Sequence, residues 1–190
     1  MNIQHKWLLN TLLDFYREPE NLDILKKIVN REFIVNQNKK LSIRMVNWFV
    51  TNYSKQYFTV YDVPNTKKEE PARRFIVWTN YKSTEDSYSK EMFDPYCRKD
   101  RIVIPYNKES SIETTVAQLH FFKWAILNKV LDYIVQHFDD IEIDMASRLN
   151  TLKKRPLHEG KTRKKREELS VNACRSIRKE FYPTQMKALI

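Results

Sequence analysis

Apolar side chains recur at helical spacing through the first third of the chain. The segment "HKWLLNTLLDFY", residues 5–16, places Trp7, Leu8, Leu12, Phe15 and Tyr16 at this spacing. A second segment, "PENLDILKKIVN", begins with Pro19, which suits the first turn of a helix. A third, "LSIRMVNWFVTNYSKQY", has Ser42 near its start, where a hydroxyl can cap a helix. The pattern predicts three amphipathic helices, with a polar loop at residues 36–40 before the third.

The middle of the chain changes from helical to extended character. The segment "RFIVWTNY", residues 74–81, is rich in β-branched and aromatic side chains, which favour a strand. "RIVIPY", residues 101–106, predicts a second short strand that ends at Pro105. Residues 83–91 favour a short helix between them, and residues 65–71 a charged loop. Two short strands predict a hairpin or a small sheet, which needs helices packed against it.

Residues 111–138, "SIETTVAQLHFFKWAILNKVLDYIVQHF", carry the strongest helical pattern of the chain. Ser111 or Thr114 is expected to cap this helix. Because its apolar side chains occupy two faces, we expect it at the centre of the core. The acidic segment 139–144 follows, and either ends this helix or begins another.

Together these elements predict the fold class α+β, as a mainly helical single domain with a small antiparallel sheet or hairpin. A chain of 190 residues is long enough for one such domain with a sizeable core. We place the domain at residues 1–150. Residues 151–190 are then a basic C-terminal extension, partly helical between about residue 162 and residue 181.

Charge separates this extension from the domain. Residues 151–190 hold 12 lysines and arginines against 4 acidic residues, a net charge of +8, whereas the remaining 22 basic and 20 acidic residues give the domain only +2. Basic side chains that can contact phosphates lie along the tail: Lys153, Lys154, Arg155, Lys161, Arg163, Lys164, Lys165, Arg166, Arg175, Arg178 and Lys179. A bipartite nuclear-import signal, or a linker or protein-docking tail, remains an alternative interpretation.

The segment "FDPYCRKDR" is a second candidate for phosphate contact. Asp94 before a proline favours a turn, and Arg98, Lys99 and Arg101 follow Tyr96 closely. An aromatic ring among cations is typical of proteins that bind nucleic-acid strands. A structural turn is the alternative. Cys97 lies beside cations that would favour its thiolate, but the sequence places no histidine near it to make it a catalytic nucleophile.

The acidic residues between 139 and 144, with Glu113 or Asp94, could hold Mg²⁺ for phosphodiester cleavage, although acids that follow a helix are usually a solvated surface. They could also pair with the basic tail. The 2 cysteines and 4 histidines lack zinc spacing, and one glycine, Gly160, excludes the glycine-rich phosphate loops of nucleotide-dependent enzymes. We therefore predict no cofactor, no bound metal and no enzymatic activity.

Targeting signals and cysteine content indicate where the protein is expected to act. Neither a signal peptide nor a membrane-spanning segment is evident, and two cysteines are too few for a disulfide scaffold. We expect an intracellular, reducing compartment and no membrane partner.

Three segments carry a resemblance: "LSIRMVNWFVTNYSK" at 41–55, "MFDPYCRKDRI" at 92–102 and "ETTVAQLHFFKWAILNKVLDYI" at 113–134. Together they resemble a family of largely uncharacterised proteins from large nucleocytoplasmic DNA viruses of the giant-virus type, over roughly residues 41–145. The resemblance implies a viral protein in a virion, a cytoplasmic virus factory or a nucleus. It assigns no catalytic residues.

The combined expectation is a non-enzymatic viral protein that grips the phosphate backbone of nucleic acid with little sequence preference, in viral transcription or genome packaging. DNA is favoured over RNA as the partner, and other viral proteins are further candidates. One alternative is a virion structural or assembly protein whose tail docks on an acidic protein surface. A metal-dependent nuclease is the other.

Overall fold

The N-terminal amphipathic segments form helices α1 (Ile3–Tyr16) and α2 (Pro19–Val29), as their periodicity predicts. The structure is a computed structural model that describes residues 3–36, 39–65, 71–107 and 109–153. The predicted helix near 162–181 and the tail beyond residue 153 lie outside the described residues. Within them, helices predominate and the strands occur in antiparallel pairs, which confirms the α+β fold class.

The third helical segment is continuous but changes its winding. It comprises α3 (Ile43–Trp48), a π-helical turn (Phe49–Tyr53) and α4 (Ser54–Gln56). Ser42 caps its start as predicted, since its Oγ accepts a hydrogen bond from the backbone N–H of Met45 at 3.2 Å. The predicted loop at 36–40 is wrong at its ends, because β1 (Ile34–Asn36) pairs with β2 (Lys39–Lys40).

The remaining strands form two further antiparallel pairs. β3 (Val60–Val63) pairs with β4 (Arg73–Ile76), and β5 (Arg101–Pro105) pairs with β6 (Ser111–Thr115). The strand predicted at 74–81 therefore ends at Ile76, where helix α5 (Val77–Met92) begins. The two predicted strands do not pair with each other, because β4 pairs with β3, for which no element was predicted, and β5 pairs with β6, which lies in the predicted helix.

The helix predicted at 111–138 is wrong at its start and in its continuity. Its first five residues are β6, and the cap is Thr115, which accepts a hydrogen bond from the N–H of Gln118 at 3.2 Å. Helix α6 (Val116–Leu127) ends before Lys129, whose φ of 55° interrupts the winding. Helices α7 (Val130–Gln136) and α8 (Phe138–Lys153) follow, so the acidic segment begins a new helix.

Helix α6 lies at the centre of the core, as its two apolar faces predict. Seven of its twelve residues are buried: Val116, Ala117, Leu119, Phe121, Phe122, Trp124 and Ala125. Helix α1 packs on it, and the hydroxyl of Tyr16 donates to the carbonyl of Leu119 at 2.8 Å. No helix among the described residues has the length and apolar composition needed to cross a bilayer.

Candidate functional site

Four arginines surround a surface cavity of about 560 Å³, which we call the arginine groove: Arg31, Arg44, Arg98 and Arg101. The groove lies where the end of α2, the start of α3, the turn at residues 95–98 and the β5–β6 hairpin meet. Each arginine comes from a different one of these segments, so tertiary packing rather than local sequence brings them together.

Arg31 enters the groove from a helix terminus held by a Schellman motif. The N–H of Glu32 donates to the carbonyl of Lys27 at 2.7 Å, and the N–H of Arg31 donates to that of Ile28 at 3.2 Å. The motif requires a left-handed residue, and Arg31 adopts a φ of 59°. Glycine is favoured there because a Cβ raises the energy of this conformation. The fold therefore holds an arginine at a strained position.

The other arginines differ in their ion pairing. Arg101, at the start of β5, donates from Nη1 to Glu113 Oε1 on β6 at 2.7 Å. Arg44 lies in the first turn of α3 and Arg98 in the turn, and both are exposed. Within the described part of the chain, Arg31, Arg44 and Arg98 form no ion pair. Three guanidinium groups thus lack a described carboxylate partner and can bind an anion.

Tyr96 adds an aromatic ring to the groove and is 45% exposed. Its backbone N–H donates to Asp94 Oδ1 at 2.8 Å, and the N–H of Cys97 donates to the Asp94 carbonyl at 3.3 Å. Partial burial raises the pKa of the Tyr96 phenol, against a lowering effect of nearby Arg44. The predicted turn at Asp94 is therefore present and holds a neutral phenol beside cations.

The inner wall of the groove is polar and well ordered by hydrogen bonds. Gln118 of α6 donates from Nε2 to the carbonyl of Pro95 at 3.0 Å and accepts at Oε1 from Thr114 Oγ1 at 3.2 Å. Thr114 is 2% exposed. These bonds fasten the turn that carries Tyr96 to α6, and α6 to β6.

Of the turn cations predicted from sequence, Arg98 and Arg101 line the groove and Lys99 does not. Lys99 lines a separate cavity of about 130 Å³, and its Nζ lies 3.5 Å from Glu91 Oε1. Sequence reasoning missed Arg31 and Arg44. One signal existed for Arg44, because it is the sole charged residue between Leu41 and Ser54.

The tail cations predicted from sequence fall almost entirely beyond the described part of the chain. Lys153 ends α8, and its side chain is outside the described set. The others lie outside the described residues altogether: Lys154, Arg155, Lys161, Arg163, Lys164, Lys165, Arg166, Arg175, Arg178 and Lys179. Their role stays a prediction.

The acidic segment is bound within the domain. Lys39 donates to Asp139 Oδ1 at 2.7 Å and to Glu142 Oε2 at 2.8 Å, and these hydrogen bonds raise the pKa of Lys39. Asp144 is buried and accepts from Trp48 Nε1 at 2.9 Å and from Arg148 Nε at 3.0 Å. The described residues contain no group of three or more metal-ligating side chains placed to hold an ion.

Cys97 has polar neighbours but no hydrogen bond to a histidine among the described residues. Its Sγ lies 3.8 Å from the carbonyl of Lys99. His120 lies nearer to this segment than the sequence indicates, because its Nδ1 donates to the carbonyl of Met92 at 2.9 Å. Burial lowers the pKa of His120. Its ring packs against Phe93, so it serves the core rather than the thiol.

Comparison with known proteins identifies a family, and the function of that family is unknown. The sequence profile of a family of unknown function (DUF7197) matches residues 14–180. An uncharacterized protein of Acanthamoeba polyphaga mimivirus is 39% identical over 139 residues, which cover 70% of this chain. The alignment covers 52% of that relative, so the chain spans about half its length. No solved structure matches. The expected setting, an uncharacterised giant-virus family, is confirmed at that level.

Proposed function

This chain belongs to a family of unknown function (DUF7197), and we propose that it binds nucleic acid through the phosphate backbone. The arginine groove and the basic tail would form the binding surface. The proposal is of binding without catalysis and with little sequence preference. A role in viral transcription or genome packaging, in a virion or a virus factory, would use such an activity.

The observation that carries the proposal is the lack of ion pairing around the groove. Arg31, Arg44 and Arg98 converge on one cavity, and no described carboxylate pairs with them. Guanidinium groups bind phosphate oxygens through two parallel hydrogen bonds, which makes arginine suited to this task. Uncompensated cations brought together at a concave surface favour an anionic ligand of several charges, such as a polynucleotide.

The tail supports the same proposal by its charge alone. Twelve basic residues against four acids would add several phosphate contacts to those of the groove. The acids at 139–144 do not readily offer the tail a docking site within the chain, because Lys39 and Arg148 already pair with three of them. Most of the acidic charge at 139–144 is therefore already compensated by cations of the domain.

The test is the salt dependence of binding by full-length proteins. A labelled strand of about 20 nucleotides, alone and as a duplex, is long enough for one domain. We expect affinity to fall steeply between about 50 and 200 mM salt. Replacing Arg44 and Arg98 with glutamine should lower the slope by about 0.7 to 0.9 for each phosphate that the variant no longer neutralises. Replacing Lys161, Arg163, Lys164, Lys165 and Arg166 with glutamine should lower it further.

Arg74→Gln is the matched control, since Arg74 is exposed on β4 and does not line the groove. If wild-type protein binds neither probe at the lowest salt, the proposal is wrong, and a search for a protein partner of the tail follows. If the groove variant behaves as Arg74→Gln does while the tail variant loses binding, the groove is not part of the interface.

A further inference from the structure

We propose that the arginine groove accepts an unpaired nucleotide, whose base stacks on Tyr96 while its phosphates contact the arginines. The inference rests on the proposed function and deepens it, because it names single-stranded nucleic acid as the preferred form. It depends on the ring and on the shape of the groove, which the charge alone does not specify.

Tyr96 presents its side chain at the surface of the groove segment. Its ring is 45% exposed although the residues on either side are less so, since Pro95 is buried and Cys97 is half-buried. No described aromatic ring stacks on it, in contrast with Tyr61 and Tyr133, which stack on each other at 5.0 Å. Tyr96, exposed and without a described stacking partner, thus lines a cavity that is also lined by four arginines.

The backbone that carries Tyr96 is held by hydrogen bonds. The hydrogen bonds from the Tyr96 N–H to Asp94 and from Gln118 to the Pro95 carbonyl both hold the peptide that precedes the ring's attachment. The Cys97 N–H donates to the Asp94 carbonyl at 3.3 Å and holds the peptide that follows it. A stacking surface that is already ordered loses little conformational entropy when a ligand binds. This distinguishes Tyr96 from an exposed tyrosine on a mobile loop.

The arginine groove has a volume that suits one nucleotide. A cavity of about 560 Å³ lies within the range of pockets that enclose small organic ligands, about 300 to 1,000 Å³. A base with its sugar and phosphate falls in that range. Bases within a duplex expose their edges in the grooves, whereas their faces are covered by neighbouring pairs. Stacking on Tyr96 is therefore open only to an unpaired base.

The polar wall of the groove bears on which bases the groove can distinguish. The polar groups of Gln118 and Thr114 bond to each other and to Pro95, which leaves the inner wall committed to the protein's own contacts. Every base has a face on which an aromatic ring can stack, so binding of this kind tolerates any sequence. The groove should then recognise the unpaired state of a strand more than its sequence.

The experiment compares one labelled oligonucleotide with its own duplex, using full-length wild-type, Tyr96→Ala, Tyr96→Phe and Trp7→Ala proteins. Wild type should bind the strand more tightly than the duplex. Removing the ring should weaken strand binding by about 5-fold to 150-fold and leave duplex binding nearly unchanged. Tyr96→Phe keeps the ring and should retain strand binding. Trp7 is 69% exposed and outside the groove lining, so Trp7→Ala controls for loss of an exposed ring.

Three other outcomes would contradict this inference or the proposed function. If both probes bind wild type but Tyr96→Ala matches Trp7→Ala, this inference is wrong and backbone binding stands. If neither probe binds, the proposed function itself is wrong. If a free nucleoside monophosphate competes as well as the strand does, the groove is a mononucleotide site and the inference of a strand ligand is overturned.

Discussion

Four arginines surround the arginine groove, and four acids lie along the first turns of α8: Asp139, Asp140, Glu142 and Asp144. Both sets are dense in charge, the first in space and the second in sequence. In the acidic set, three carboxylates have cationic partners within the domain. In the groove, one arginine of four has such a partner among the described residues. Available charge is therefore concentrated in the groove, although the sequence displays the acids more plainly.

The largest loss of stability is expected when the buried carboxylate of the acidic set is removed. Asp144→Ala removes a carboxylate that is 8% exposed and leaves Arg148 and the indole N–H of Trp48 without their acceptor. We expect the free energy of unfolding to fall by about 2 to 4 kcal/mol. Urea unfolding measures it. Asp140 is exposed on the same helix, and Asp140→Ala should change the free energy of unfolding by less than about 0.5 kcal/mol. Equal losses of stability in Asp144→Ala and Asp140→Ala would contradict the expected difference between the buried and the exposed carboxylate.

The second effect separates charge from backbone strain in the groove. Arg31→Gly relieves the left-handed conformation at φ 59° and removes one guanidinium. We expect the free energy of unfolding to rise by up to about 1 kcal/mol, while the salt slope of nucleic-acid binding falls by about 0.7 to 0.9. Arg74→Gly on β4 is the control, and should destabilise by about 0.5 to 1 kcal/mol. A destabilised Arg31→Gly would show that the strain costs less than the freedom that glycine adds to the unfolded chain.

A third change adds available charge to the groove. Glu113 is the one acidic side chain lining it within the described residues, and it pairs with Arg101. Glu113→Gln should tighten nucleic-acid binding about threefold at low salt, because it removes a negative charge from the surface that the phosphates would contact. Anisotropy measures the change. Glu109→Gln, at the hairpin loop outside the groove, should have a smaller effect, and weaker binding by Glu113→Gln would count against the groove.

The smallest expected effect is a dependence of stability on pH that comes from His120, whereas the arginines of the groove keep their charge. Burial lowers the pKa of His120 in the folded state, so the unfolded chain binds the proton more readily. Its contribution to stability is therefore full above the unfolded pKa of about 6.5 and declines as the pH falls below it. Guanidinium stays charged throughout, so strand binding should hardly change between about pH 6 and 8. Urea unfolding of wild type and His120→Gln across this range should show a shallower decline in the variant.

Sequence reasoning reaches the parts of the site that are local. Arg98 and Arg101 can be predicted together with Tyr96 because all three lie in one short segment, and the structure keeps them together. Arg31 and Arg44 come from helix ends that tertiary packing brings beside the turn, and no spacing rule reveals that. Lys99, between two groove residues in sequence, lines another cavity, and its Nζ lies 3.5 Å from Glu91 Oε1, a contact that the sequence does not indicate.

The same distinction holds for the fold. Helices α1 and α2 are predictable because their apolar periodicity is local, whereas β6 resembles the start of a helix. In β6 the burial of Ile112 and Thr114 follows the alternation of a strand, but the helical pattern of α6 begins directly afterwards. Pairing with β5 decides the outcome. That pairing lies outside the window of any periodicity.

Five non-glycine residues among those described have a positive φ: Arg31, Phe58, Ser89, Asp100 and Lys129. Glycine is the usual choice at such positions, yet the whole sequence contains one. A residue with a side chain has fewer backbone states in the unfolded chain than glycine has. This lower entropy of the unfolded chain raises the free energy of unfolding by about 0.4 to 1 kcal/mol per position. The strain in the native backbone is thus partly offset before folding begins, because the unfolded ensemble from which the protein starts is itself more restricted.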